Sequence, residues 1–398
     1  MRTKLIWLTG LLLAALLMQF GCERKTVTTT EVIKEVSPQD AAYVGSAECG
    51  TSGCHEGVLA TFRNTGHPYK LNDADSARLP VGQYYPFTSV PNPSDVSWDN
   101  ISMVIGGFWW KARYIDNEGY ILTGANRQYN FETQQFVSYD AATAPRKPYD
   151  CGPCHMTNYV DTGHQGGLPG LVGTWTFNGV QCEECHGPGE FHAAEPYKFA
   201  MEIDRSSEAC GKCHIRGSVQ KIPAKSGWVE HHEQWNEMFR TKHAALECVD
   251  CHNPHIGLHA DNPERESAIK VACESCHLAE TQGFLASGIG HAASEAGPDC
   301  IDCHMAKTGK SAVANATTFT GDVRSHSWTI NMDPNAAMFT QDGLFANGYI
   351  TLDFACLQCH TSETKEWAAT YAPLVHTPIG SPSSGDFSQL ASSTLKGH

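Results

Sequence analysis

Seven stretches of this chain share one arrangement: two cysteines three positions apart, with a histidine directly after the second. They are "CGPCH" (Cys151, Cys154, His155), "CEECH" (Cys182, Cys185, His186), "CGKCH" (Cys210, Cys213, His214) and "CVDCH" (Cys248, Cys251, His252). "CESCH" (Cys273, Cys276, His277), "CIDCH" (Cys300, Cys303, His304) and "CLQCH" (Cys356, Cys359, His360) complete the set. This spacing suits covalent attachment of a c-type haem: the thiols add to the two vinyl groups and the histidine supplies the proximal iron ligand. Structural zinc fits the pattern poorly, because it needs closed sets of four ligands and these motifs come in threes with a fixed Cys-His order.

An eighth stretch, "CGTSGCHEG", is stretched: Cys49 and Cys54 have four residues between them, and His55 follows. Gly50, Thr51, Ser52 and Gly53 are small and turn-forming, so the extra residues can bulge without moving either sulfur from its vinyl group. The alternative is a Cys49–Cys54 disulfide. Of the 17 cysteines, only Cys22 then stands outside an attachment motif. The reading is eight haems c.

What each iron does depends on its second axial ligand: two strong ligands pass electrons, whereas an open position binds a substrate. Twelve of the 20 histidines lie outside the motifs. His67, His164, His192, His232, His243, His255, His291, His326 and His376 are the distal candidates. His231 and His259 stand as near-equal alternatives to His232 and His255, or as residues of a substrate pocket. His398 is terminal and reads as surface. Met103, Met305 and Met332 are weaker ligand candidates. Lys111, Arg113 and Arg324 are candidates for pairing with haem propionates, or are simply exposed charges.

The elements that hold these residues are expected to be short. Five of the seven gaps between attachment sites are so brief that no segment can build its own core, so the haems must supply much of it. The expected fold is a haem-cored multihaem cytochrome c, mostly loops and short α-helices, with a small β subdomain around residues 85–140. There "FWWKARYIDNEGYILTG" reads as two strands around an Asp116-Asn117-Glu118-Gly119 turn. Helical spacing groups Val58, Leu59 and Phe62; Trp235, Met238, Phe239 and His243; and Trp367, Tyr371 and Leu374. The domain reading is 1–22 export signal, 23–42 flexible tether, 43–145 first haem with the β-rich part, 146–376 haems two to eight, and 377–398 mobile tail.

"MRTK" followed by "LIWLTGLLLAALLMQF" has the form of an export signal, and its apolar run is short for a spanning helix. Gly21-Cys22 behind it makes Cys22 a lipidation candidate, so the body is expected outside the cytoplasm, as an outer-membrane lipoprotein facing the periplasm or the cell surface. The net charge of −15 argues against nucleic acid and anionic lipid surfaces as partners.

"YVGSAEC", "FRNTGHPYKL", "GTWTFNGVQCEECHGPG", "CVDCHNPH" and "GDVRSHSWTI" resemble stretches of the multihaem c-type cytochromes of anaerobic respiration, over roughly residues 43–360. That resemblance implies His67 and His326 as distal ligands and electron transfer as the function. It implies partners such as other cytochromes, a porin-cytochrome conduit or extracellular metal oxides, and possible polymerisation into filaments. Some relatives are catalytic with a lysine in place of one motif histidine. All eight motifs here end in histidine, which favours an electron carrier. The second reading is a reductase of nitrite, hydroxylamine or a sulfur oxyanion, which would need one iron without a distal ligand and a pocket of His, Tyr, Lys or Arg beside it.

Overall fold

The computed structural model describes residues 40–287, 291 and 297–378. The export signal with Cys22, the tether up to residue 39, the tail from 379 and His398 lie outside the described residues. Those described from Ala41 onward belong to one compact unit.

The main sheet is antiparallel: β1 (Leu71–Asp73), β2 (Ile101–Gly106), β3 (Lys111–Asp116), β4 (Tyr120–Leu122), β5 (Gly124–Asn130), β6 (Gln135–Tyr139) and β7 (Arg146–Pro148). The path runs β1-β2-β3-β4-β7, and β5 pairs with β3 and β6. The sheet is therefore wider than residues 85–140. The β3–β4 hairpin turns where the sequence expects: Gly119 takes φ 88° and its N–H donates to the Asp116 carbonyl. The Asp116 carboxylate accepts from the N–H groups of Glu118 and Tyr120.

Successive strand residues face opposite sides, and both sides of this sheet are buried. Val104, Ala112 and Tyr114 join a cluster with Tyr69, Tyr85 and Phe108 on one face. Ile105, Ile115 and Leu71 join Tyr149, Met156, Leu171 and Trp175 on the other. Lys111 and Arg113 share strand parity with Ile115, so they project on the second face, where partly buried Cys151 also packs. Further cores gather around Ile222, Trp228, Ile350 and Phe354, and around Leu352 and Ala368.

The helices are short. The longest among the described residues is Leu278–Ala286. Helices cover Glu56–Phe62, Gln234–Met238 and Lys365–Tyr371. The first buries Leu59 and Phe62 and leaves Val58 exposed. The second stops before His243, which sits on a separate turn whose Thr241 hydroxyl accepts from the His243 N–H. No helix among the described residues is long and apolar enough to cross a membrane.

Candidate functional site

Several attachment motifs are wound into about one helical turn: Gly152–His155, Cys182–His186, Cys248–Cys251 and Cys300–His304. A helical turn brings positions i, i+3 and i+4 to one face, which aligns both thiols and the imidazole. In four standard motifs the histidine N–H donates to the first cysteine's carbonyl: His214 to Cys210 at 3.0 Å, His252 to Cys248 at 2.9 Å, His277 to Cys273 and His360 to Cys356, both at 3.0 Å. The stretched motif closes the same bond, from His55 N–H to the Cys49 carbonyl at 3.2 Å. Gly53 at φ 84° turns the inserted residues outward, and a Cβ on Gly50 would fall 2.1 Å from Leu59. Cys49 and Cys54 carry free thiols.

Seven motif histidines face a second histidine across a gap. His55 faces His192 with ring centroids 6.3 Å apart, His186 faces His255 at 6.1 Å, and His214 faces His67 at 6.3 Å. His252 faces His326 at 6.1 Å, His277 faces His243 at 5.9 Å, His304 faces His376 at 6.0 Å and His360 faces His291 at 5.8 Å. Such gaps are too wide for ring-to-ring contact. Two imidazoles on opposite sides of one metal, each with a metal–nitrogen bond of about 2.0–2.1 Å, bring their centroids to about 6.2–6.5 Å. The residues present therefore fit an iron held between paired imidazoles.

Hydrogen bonds at Nδ1 orient several of these rings. Nδ1 pairs with a carbonyl oxygen in His186 (Glu202, 3.3 Å), His192 (Phe199, 2.7 Å), His304 (Trp328, 2.8 Å) and His376 (Glu280, 2.9 Å), and with the Gln234 amide oxygen in His214 (3.1 Å). Donation from Nδ1–H leaves Nε2 free for a metal. Burial holds His67, His155 and His326 neutral by lowering each to about 3, and lowers His214, His243, His252, His255 and His291 as well. A ligating imidazole needs that neutral form.

Two expected distal ligands face no motif histidine. His164 lies on the exposed strand Val160–His164 with Nδ1 on the Leu171 carbonyl at 3.1 Å. His232 has Nδ1 at 3.3 Å from an Arg216 guanidinium nitrogen. Arginine can only donate, so His232 carries its proton on Nε2, which then cannot bind a metal. The same logic separates His255 from His259. His259 accepts the Asp261 N–H on Nδ1 at 3.1 Å, and its ring packs against Phe87 and Trp109. Arg324, a candidate propionate partner, is committed to the motif helix Cys300–His304 by bonds to the Ile301 and Met305 carbonyls and to Asp302.

The motif histidine left over is His155. No histidine faces it at metal-bridging distance among the described residues, and its ring neighbour is Tyr149 at 6.5 Å. The charges felt at His155 come from Lys70, His232, Lys111 and Arg113. His231 in turn feels Lys111, His232, Arg216 and Arg113, and its ring meets His232 edge-on at 4.5 Å. Burial pulls Lys111 down to about 7, helped by the charge of Arg113. Burial also lowers Lys70 and Arg113, holds His231 far below its ordinary value and brings His232 to about 4.

The cations are held in different ways. Lys111 donates to the Ser311 carbonyl. Ser311 sits on a loop pinned by Asp322, whose carboxylate accepts from the N–H groups of Ser311, Ala312 and Val313 at 2.5, 2.7 and 2.9 Å. Arg113 bonds Gln128 and lies over the Tyr139 ring. Arg216 is fixed by Glu230 and the buried Glu233. The Lys70 ammonium makes no hydrogen bond or ion pair among the described residues. An unpartnered ammonium in such surroundings is costly, and an anion beside it relieves that cost. Lys70, Arg216 and Tyr149 carry no sequence signal of their own, because only the sheet and the 214–233 segment bring them to His155.

Thiols of different motifs also meet. Cys49 lies beside Cys182, Cys154 beside Cys213, Cys210 beside Cys248 and Cys273 beside Cys300. Cys213 feels Cys185, Cys251 feels Cys273, and Cys303 feels Cys356. Numbered along the chain, the motifs thus form one run, 1-3-4-5-6-7-8, with motif 2, that of His155, attached beside motif 4.

The family model for cytochrome c554 and c-prime matches residues 122–187, which include the motifs of His155 and His186. The outer cell wall cytochrome OcwA has a similar structure (TM-score 0.54, 19% identity, 82% of this chain and 86% of that chain). So does the octaheme sulfite reductase MccA of Wolinella succinogenes (TM-score 0.52, 15% identity, 79% of this chain); the match covers 65% of that chain, just under two thirds of it. No curated protein matches the chain by sequence. These likenesses show the fold: it is that of a multihaem c-type cytochrome.

Proposed function

We propose that this chain is an eight-haem reductase that delivers electrons to one substrate-binding haem, attached at Cys151 and Cys154 and ligated by His155. The observation that carries the reading is the contrast at the eight motifs: seven proximal histidines face a second histidine, while His155 has none among the described residues and adjoins the sheet face that carries Lys111 and Arg113. When bound, the haems supply one-electron transfer, and an iron without a second protein ligand offers a coordination site. Lys70, Lys111 and Arg113 bind and orient a small anion there. His232, with its proton on Nε2, donates a hydrogen bond to the anion, while Arg216, itself paired with Glu233, holds its ring.

The substrate class that fits is a small oxyanion of sulfur or nitrogen. Bisulfite takes up six electrons and six protons to give hydrosulfide and three waters. Nitrite takes up six electrons and eight protons to give ammonium and two waters. Seven closed haems in a continuous run store and conduct the electrons that such a reduction consumes. The sulfite-reducing structural neighbour supports this class, and the cation cluster supports it independently. Export, lipidation at Cys22 and redox partners outside the cytoplasm complete the proposal.

Low-temperature EPR of the oxidised protein, with carbon monoxide binding to the reduced form, tests it. The expected result is one high-spin haem that takes up carbon monoxide among low-spin haems. Eight low-spin haems and no carbon monoxide binding would return the chain to the role of electron carrier.

A further inference from the structure

The proximal side of the His155 site differs from the other sites as well. Where another motif histidine has an Nδ1 hydrogen-bond partner among the described residues, that partner is an amide-type oxygen: Glu202 for His186, Gln234 for His214 and Trp328 for His304. His155 instead meets the Tyr149 hydroxyl at 3.4 Å. That hydroxyl makes no other hydrogen bond among the described residues. The contact is built into the fold. Tyr149 is 0% exposed, its N–H donates to Gly170 at 2.7 Å, its carbonyl accepts from Val172 at 3.0 Å, and its ring packs against Trp175.

With Nε2 directed to a metal, Nδ1–H must donate to the phenol oxygen. A phenol oxygen is a weaker acceptor than an amide carbonyl, and the contact is longer than the others. Stronger acceptors at Nδ1 make the ligating nitrogen more basic. His155 should therefore give its iron less electron density than His186, His214 or His304 give theirs.

We propose that Tyr149 is a positioning residue that sets this donation. It keeps the His155 ring aligned through a deliberately weak hydrogen bond, so the iron stays electron-poor. Such an iron holds an anion more firmly and accepts an electron more readily than its bis-histidine neighbours, so electrons drain toward it. The proposal rests on the reading of an open iron at His155.

Resonance Raman spectroscopy of the reduced protein tests both ideas separately. Only a five-coordinate ferrous haem gives an iron–histidine stretching line, and its frequency follows the strength of the Nδ1 hydrogen bond. The wild type should show one such line, and Tyr149→Phe should shift it to lower frequency. The midpoint potential of the high-spin haem should rise in that variant, with the low-spin EPR signals unchanged as the sign of an intact fold. A line that Tyr149→Phe leaves in place overturns the role of Tyr149 alone. Should that variant fail to load haem, a wild-type line at the frequency of haem bound to an N-methylated imidazole, which has no N–H to donate, overturns it equally. Absence of the line in the wild type sinks the open-iron reading, and this proposal with it.

Discussion

Glu183 lies inside the "CEECH" motif, yet its carboxylate works for another haem site. It is 1% exposed and accepts from three backbone N–H groups: Val44 at 2.9 Å, Gly45 at 2.7 Å and Gly189 at 2.8 Å. Ser46 adds bonds to Gln181 and to the Cys182 N–H. The segment carrying Cys49 is thus docked on the helix carrying Cys182. Glu183→Ala leaves three donors without a partner. Two of these donors, Val44 and Gly45, belong to the docked segment, so at about 1 kcal/mol each, the low end for buried groups, docking loses about 2 kcal/mol. That is about thirtyfold in the population of the released segment. Hydrogen exchange of residues 43–50 in the haem-loaded protein should speed up by that factor, and Glu183→Gln, which keeps one acceptor oxygen, should fall between. The EPR signal of the His55–His192 site should broaden while the others stay sharp. Exchange in Glu183→Ala within about twofold of the wild type would refute the reasoning, because two lost charge-assisted bonds cannot cost so little.

Intact mass of the matured chain should exceed that of the polypeptide by eight haems; an excess of seven, with Cys49 and Cys54 recovered as thiols, would remove the stretched motif from the set. His192→Ala should add a second high-spin EPR signal, whereas His164→Ala should leave the spectrum unchanged; the reverse pattern would undo the pairing at His55. Lys111, drawn down to about 7, is charged below that pH and neutral above it. Nitrite or sulfite affinity should therefore weaken as pH rises through about 7, and Lys111→Arg, charged throughout, should flatten the profile. A wild-type affinity that does not change across that range would deny Lys111 a place at the anion.

Covalent chemistry is local, so the attachment motifs are plain in the sequence. The stretched one is legible too, because its inserted residues are small and its histidine stands directly behind the second cysteine. The β3–β4 hairpin is legible for the same reason, since Asp116 and Gly119 form its turn from within four residues. The extent of the sheet is not, because β1 and β7 join it by pairing with strands that are distant in sequence. Distal ligands belong to the second kind. His164 and His192 look alike in sequence and part only in three dimensions: one rides an exposed strand, and the other is turned toward His55 by the Phe199 carbonyl. His232 is withdrawn by Arg216, sixteen residues away, which no spacing rule connects to it.

The pairing has a mechanical side that bears on where catalysis can occur. A histidine pair across one iron would tie two segments together: His67 to His214, His192 to His55, His243 to His277, His376 to His304. In a chain of short helices and loops, such ties would replace core that side chains otherwise build, so opening one for a substrate would also untie the fold there. The His155 site is the exception because it has another support. Its motif follows directly from β7, and Tyr149, Met156 and Leu171 pack with Ile105, Ile115 and Ile121 on one face of the main sheet. That face also carries Lys111 and Arg113, and Lys70 immediately precedes β1. On the proposed reading, the sheet supplies the rigidity that a second histidine would supply elsewhere, and it brings Lys111 and Arg113 to the same face. A substrate site at any of the other seven motifs would have to give up a cross-link without the seven-stranded sheet behind it, which is the physical reason to expect the reactive iron at His155.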